Sequence, residues 1–272
     1  MIIGKESPLR KIPSALDRRQ ALFIEGIRFS VEMADVAYKR LRSTLLWLSK
    51  MEDETPEIPS TVSAMLDAWS IVDSLNRLRR LMQNMPGLKG KNKNPGYRLF
   101  MQGTEKITEL RNAVQHLETS IPGVVDDLNW AVLGSLSWGI AHPGTSEIIT
   151  CSFMPGIPMG SHPMVNPLDR QLWHLPVDSI TIERSGVFVC LSDAMRRLKA
   201  YIGHMEQSLT EAYATQIPEE HRGKTHGAGM LLTLVFRVAP EQIVPEDTPD
   251  PEPDLPEEPD EEEVGSATNH NL

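Results

Sequence analysis

The chain has 272 residues, of which 40% are hydrophobic and 24% are charged, so it is long enough to bury a substantial core in one or two domains. Its formal net charge of −10 by itself argues against a nucleic-acid partner. However, 12 of the 37 acidic residues and none of the 27 Lys and Arg residues follow Pro240. The negative charge is therefore concentrated in the C-terminal tail. The rest of the chain is near neutral, which leaves RNA open as a partner.

The N-terminal extension, residues 1–16, does not resemble a secretory signal, because Lys5, Glu6 and Pro8 interrupt it before an apolar run develops. Uncharged runs further along the chain are broken by Gly, Ser and Pro, which argues against insertion into a membrane. We therefore expect a cytoplasmic protein.

Cys151 and Cys190 are the two cysteines, and neither belongs to a Cys-x-x-Cys pair. We predict that both are reduced and buried. His162 and His174 lie in a Pro-rich region without the spacing of zinc ligands. The sequence therefore predicts no metal and no other cofactor.

Three segments in the first half of the chain have the apolar periodicity of helices. The first runs from Asp17 to Lys50, and its apolar series comprises Leu22, Ile24, Ile27, Val31, Ala34, Ala37, Leu41, Leu45 and Leu48. A second helix follows 59–61 and ends before Pro86, and a third runs from about Tyr97 to Ile121. Steps of three and four on successive helices are typical of a helical bundle.

The middle of the chain changes to short runs rich in Val, Ile, Trp and Thr, which predict strands at 130–140, 147–153, 180–183 and 187–191. The last two flank Arg184-Ser185-Gly186 and are predicted to form a hairpin. A fourth helix begins at Ser192, and 230–238 has the pattern of one more strand.

The predicted fold is mainly α and α+β overall: a four-helix bundle with a small antiparallel β insertion between its third and fourth helices. Helices one to three occupy 17–127, the insertion 128–191, and the fourth helix with the C-terminal strand 192–240. The Pro- and acid-rich tail, 241–272, cannot bury enough apolar surface to fold and is predicted to be disordered.

A candidate catalytic motif lies on the third helix, where Arg111 and the polar Asn112 precede His116 with four residues between Arg and His. This pattern resembles the R-x4-H motif of the HEPN superfamily, the higher-eukaryote and prokaryote nucleotide-binding domains. The resemblance covers the motif and the surrounding helices. It implies a small α-helical bundle of a kind that often acts as a dimeric, metal-independent ribonuclease.

The resemblance also implies a role for each residue. Arg111 would bind and neutralise the scissile phosphate, His116 would be the general acid or base, and Asn112 would orient the substrate. Glu118 is a supporting candidate without a firm place in the family pattern. Independently, imidazole titrates near neutral pH and a guanidinium matches phosphate oxygens, so these residue types suit RNA cleavage without a metal.

Helical geometry places Asn112 and His116 one turn apart, pointing away from the apolar seam. Such residues are also typical of a solvated helix face, and the pair Arg197 and His204 on the fourth helix has similar spacing. Catalysis from this face requires a second subunit to cover it. We therefore predict a homodimer with the two sites in a shared cleft.

A basic stretch leads into the motif helix, since no acidic residue occurs between Asp73 and Glu105. Its predicted RNA-binding residues are Arg77, Arg79, Arg80, Lys89, Lys91, Lys93 and Arg98, interleaved with Tyr97 and Phe100. Cations with aromatic neighbours suit a phosphate backbone and unpaired bases. A solvated helix end gives the same pattern.

The sequence thus predicts a dimeric endoribonuclease, of the toxin or defence type that the HEPN resemblance implies, with RNA and an antitoxin-like protein as partners. Two alternatives remain open. One is a non-catalytic HEPN-like scaffold for dimerisation or RNA binding, with Arg111 and His116 structural. The other is an interaction protein that uses the β insertion.

Overall fold

The structure is a computed structural model that describes residues 1–50, 58–86, 95–115, 131–141, 147–155 and 176–226. The chain divides into two compact units, Met1–Ala228 and Gly229–Leu272, and every described residue belongs to the first. The predicted strand at 230–238 and the predicted disorder of 241–272 lie outside the described residues.

The described α-helices are α1 Arg18–Leu48, α2 Ile58–Asn84, α3 Pro95–Gly103, α4 Lys106–Gln115 and α5 Leu191–Gln216. The first and last of these confirm the predicted first and fourth helices. Asp17 caps α1, because its carboxylate accepts a hydrogen bond from Gln20 N at 3.1 Å. The predicted second helix is also confirmed, although it begins at Ile58, a few residues early.

The predicted third helix is wrong as a single element, because the chain breaks between α3 and α4 at Thr104. Glu105 N bonds to Gln102 O at 3.3 Å, which tightens the last turn of α3. The carbonyl of Met101 instead accepts from Arg79 Nη1 at 2.5 Å, and Thr104 Oγ1 donates to Phe100 O at 2.6 Å. The α3 carbonyls are thus satisfied by side chains.

The described strands are β1 Ser135–Ala141, β2 Ile148–Phe153, β3 Val177–Arg184 and β4 Val187–Cys190. They form one antiparallel sheet in the order β2-β1-β3-β4, which confirms the predicted small antiparallel sheet. Ser185 and Gly186 join β3 to β4 with φ values of 51° and 77°, and two positive φ values suit a tight hairpin turn.

One core joins the helices and the sheet. Helix α1 packs against α2, α3 packs against α5, and α4 contacts both α2 and β4. The N-terminal extension contributes Ile3 and Leu9, both buried, so it is part of the core. Tyr38 on α1 donates a hydrogen bond to Ser192 Oγ on α5 at 2.9 Å. The described fold is therefore α+β.

Candidate functional site

Arg111 lies on α4 with its side chain 22% exposed, and its guanidinium is already bound within the chain. Nε donates to Asp73 Oδ1 on α2 at 2.8 Å, and Nη1 donates to Gln115 Oε1. A phosphate at this position would have to displace Asp73 or sit beside its negative charge. The arrangement ties α4 to α2 and is poorly suited to holding an anion.

The other motif residues are placed only in part. Asn112 is exposed, as its position opposite the seam predicts. His116 and Glu118 lie outside the described residues, so the Arg-to-His geometry stays a prediction.

The predicted basic surface separates into buried and exposed arginines. Arg77, Arg80 and Arg98 are exposed, whereas Lys89, Lys91 and Lys93 lie outside the described residues. Arg79 is buried instead, at 9% exposure, and does not lie on that surface.

Arg79 binds the end of α3 rather than solvent. Its Nη1 donates to Met101 O and also to Thr104 Oγ1 at 2.6 Å. Burial lowers its pKa. Arg79 therefore has a structural role between α2 and the α3–α4 junction.

A second surface, which the sequence prediction missed, lies on α1. Its outer seam comprises Leu22, Gly26, Phe29, Met33, Val36, Arg40, Ser43 and Trp47, at steps of four and three residues. The apolar members are exposed: Leu22 57%, Phe29 48%, Met33 46%, Val36 54% and Trp47 41%. Leu22 is part of the predicted apolar series of this helix, but it is exposed rather than buried.

A second series on α1, the inner seam, has the same spacing as the outer seam but is offset from it by two residues. It comprises Ile24, Ile27, Val31, Ala34, Tyr38, Leu41 and Leu45, all buried. Two residues correspond to about 200° of helical rotation, so the outer seam faces away from the core. The sequence signal for the outer seam is its own heptad spacing, since the predicted apolar series of this helix contains Leu22 but none of the other exposed apolar residues of the seam.

Phe29 and Met33, at the middle of the outer seam, are each held by an arginine. The Arg28 guanidinium lies 4.2 Å from the centroid of the Phe29 ring. Arg28 is itself buried between Glu25 at 3.7 Å and Glu32 at 3.8 Å. Arg77 Nη1 lies 3.6 Å from Met33 Sδ. Both side chains therefore have a contact partner within the chain.

The apolar surface continues from α1 onto α2. A groove of about 500 Å³ is lined by Arg40, Ser43 and Leu66 among others, and Leu66 and Val62 are 61% and 59% exposed. Arg40 Nε donates to Asp67 Oδ1 at 3.1 Å, and this carboxylate raises the pKa of Arg40. The cation is therefore fixed at the rim of the groove.

Among the described residues, no group of three or more His, Cys, Asp or Glu side chains could hold a metal ion. Cys151 and Cys190 form no disulfide bond and are half-buried rather than fully buried, and burial raises the pKa of the Cys151 thiol. No described helix has both the length and the apolar character needed to cross a membrane.

Comparison with known proteins yields no match: none among family models, none among curated proteins and none among solved structures. These comparisons add nothing to the HEPN resemblance, which depends on the sequence motif around Arg111.

Proposed function

We propose that this chain is a non-catalytic helical scaffold that binds a partner through the outer seam of α1. The observation that supports this is the row of five apolar side chains, each 41–57% exposed, along one face of a single helix. An exposed apolar surface of this kind is typical of an interaction site. Heptad spacing is the pattern by which one helix packs on another.

The energetics favour an interface. Burying a large apolar side chain fully stabilises an association by about 1.5–3 kcal/mol. Five half-exposed side chains therefore represent several kcal/mol of unused apolar contact. Because Phe29 and Met33 are already held by Arg28 and Arg77, little rotamer freedom is lost on binding.

The fold supports a scaffold as well. We infer that α1, α2 and α5, with α3 and α4 together replacing the third helix, form the four-helix bundle that the sequence predicts. In this arrangement Arg111 connects α4 to α2 through Asp73, which is a structural role.

Photo-cross-linking in cells of the source organism tests the proposal. A benzophenone analogue of phenylalanine at position 36 is compared with the same group at position 99. Val36 and Leu99 are matched controls, at 54% and 55% exposure, but Leu99 lies on α3, away from the outer seam. We expect a discrete cross-linked product at position 36 and none at 99. Equal labelling at both positions would contradict the proposal.

A second candidate is the metal-independent ribonuclease that the HEPN resemblance implies. The observation in its favour is that Arg77 and Arg80 are exposed on α2, near the Asp73 carboxylate that Arg111 binds. The test is incubation of the purified chain with structured RNA in EDTA, beside Arg111→Ala and His116→Ala. The scaffold proposal predicts no cutting by any of the three. Cutting that both substitutions abolish would support the ribonuclease instead.

A further inference from the structure

We infer that the partner of the outer seam is the outer seam of a second copy of this chain, packed antiparallel to the first. This inference rests on the proposed function and identifies its partner. It depends on the residue at each seam position and on what an antiparallel helix pair would place opposite it.

The seam residues alternate between two heptad positions. In an antiparallel coiled coil, a residue at one of these positions faces a residue at the other position on the partner helix. With the two-fold axis midway between Met33 and Val36, the outer seam gives four kinds of contact. Met33 faces Val36 of the second copy, Phe29 faces Arg40, Gly26 faces Ser43, and Leu22 faces Trp47. Because the interface is isologous, each contact occurs twice.

The apolar contacts match in size. Met33 and Val36 are both about half-exposed and would form an apolar centre of four side chains. At each end, Leu22 would pack against the large Trp47, which is 41% exposed. Between these layers Gly26 faces Leu81 of α2, so the small Ser43 of the second copy would pack against Leu81 as well.

The remaining contact pairs a cation with a ring. The Arg28 guanidinium lies over the Phe29 ring, and Phe29 is still 48% exposed, so a guanidinium from the second copy could also contact it. Arg40 is 61% exposed and is held in place by Asp67. A guanidinium over an aromatic face is attracted by the ring, more strongly once water is excluded.

Charge selects the antiparallel direction. A parallel pair would place Arg40, with its partner Asp67, against the same residue of the second copy. It would also bring together the exposed Arg18 and Arg19 of both copies at the positive ends of both helix dipoles. The antiparallel pair separates these groups by nearly the whole length of α1.

The inferred pair is distinct from the dimer that a ribonuclease would need. Helix α4 carries Arg111 and packs against α2, whereas the inferred pair forms through α1. Pairing through α1 therefore does not place the two Arg111 side chains opposite each other.

Light scattering on the full chain over a dilution series is the first test. We expect a mass of twice 30.4 kDa for the natural sequence. Met33→Glu places a charge at the axis and should weaken self-association by roughly 30-fold or more. Leu99→Glu is the matched control and should leave the mass unchanged. Circular dichroism checks that both variants are folded.

Cross-linking of single cysteines tests the direction, in a Cys151→Ser, Cys190→Ser background. In the antiparallel pair, the two copies of position 33 lie about 4.5 Å apart along the axis, whereas the two copies of position 22 lie about 38 Å apart. A short bismaleimide should therefore link Met33→Cys and fail to link Leu22→Cys. Leu22→Cys combined with Trp47→Cys should link.

The outcomes separate the two proposals. A monomeric mass for the natural sequence at every concentration, or efficient linking of Leu22→Cys alone, would overturn the antiparallel second copy. If the chain is monomeric but position 36 cross-links to a different protein, the scaffold proposal stands and this inference fails. If neither self-association nor any cross-link depends on the outer seam, both fail.

Discussion

The inner and outer sides of α1 and α2 have similar residues but differ in what surrounds them. On α1, Leu41 is fully buried and Leu22 is 57% exposed, although both are leucines in series with three- and four-residue steps. On α2, Arg79 is buried against α3 while the adjacent Arg80 is exposed. Periodicity thus locates a stripe on a helix but does not say whether the same chain covers it.

The largest expected effect compares two leucines on α1. Leu41→Ala should lower the free energy of unfolding by about 2–5 kcal/mol, because it leaves a cavity in the core. Leu22→Ala should change it by less than about 0.5 kcal/mol. Urea unfolding of both variants in the Met33→Glu background, which keeps copies apart, measures the difference. Similar losses would mean that the two seams are not distinct.

The next largest effect is a loss of stability at Arg79 on α2, compared with its neighbour Arg80. Arg79→Met removes the donors to Met101 O and Thr104 Oγ1, and we expect a loss of about 1–3 kcal/mol. Arg80→Met is the matched control and should stay within about 0.5 kcal/mol. Thermal and urea unfolding give both values. If Arg79→Met were as stable as the natural sequence, the structural role of Arg79 would be wrong, and Arg79 would belong with the exposed, predicted RNA-binding arginines.

Tyr38, on the inner side of α1, should make stability depend on pH. Burial raises its pKa to about 12, although the hydrogen bond to Ser192 lowers it. Since the folded state keeps this proton longer than the unfolded chain, the stabilisation is complete below pH 10 and is lost as the pH rises towards 12. The slope due to Tyr38 should be about 1.4 kcal/mol per pH unit.

The measurement for Tyr38 is the free energy of unfolding between pH 9 and 12, alongside tyrosinate absorbance. Tyr38→Phe should flatten the alkaline decline by the contribution of one tyrosine. Tyr213, whose pKa burial also raises to about 12, should account for part of the remaining slope. An unchanged slope in Tyr38→Phe would show that the Tyr38 hydroxyl is solvated.

The smallest expected effect is at the ion pair between Arg111 on α4 and the exposed Asp73 on α2. Asp73 is 52% exposed, so a double-mutant cycle should give a coupling of about 0.2–1 kcal/mol. The coupling should decrease with added salt. Zero coupling at low salt would mean that the Arg111 guanidinium is free for another ligand, which would favour the ribonuclease.

Local patterns predicted most of the described elements, whereas contacts between distant residues could not be predicted from them. The hairpin at Ser185 and Gly186 and the cap at Asp17 depend on residues close together in sequence, so they could be predicted. The break at Thr104 could not, because it depends on Arg79, 25 residues away. Likewise, Arg111 appeared to be available for a phosphate because nothing local shows that Asp73 binds it.

The sequence by itself determined the α+β class, the helices α1, α2 and α5, and the antiparallel hairpin. These follow from residue periodicity and turn preferences, which act over a few positions. Only the tertiary structure decided which stripe of α1 is covered, which arginine of α2 is buried, and what Arg111 binds. Burial and ion pairing depend on the elements that meet in space, and those contacts join residues far apart in the chain.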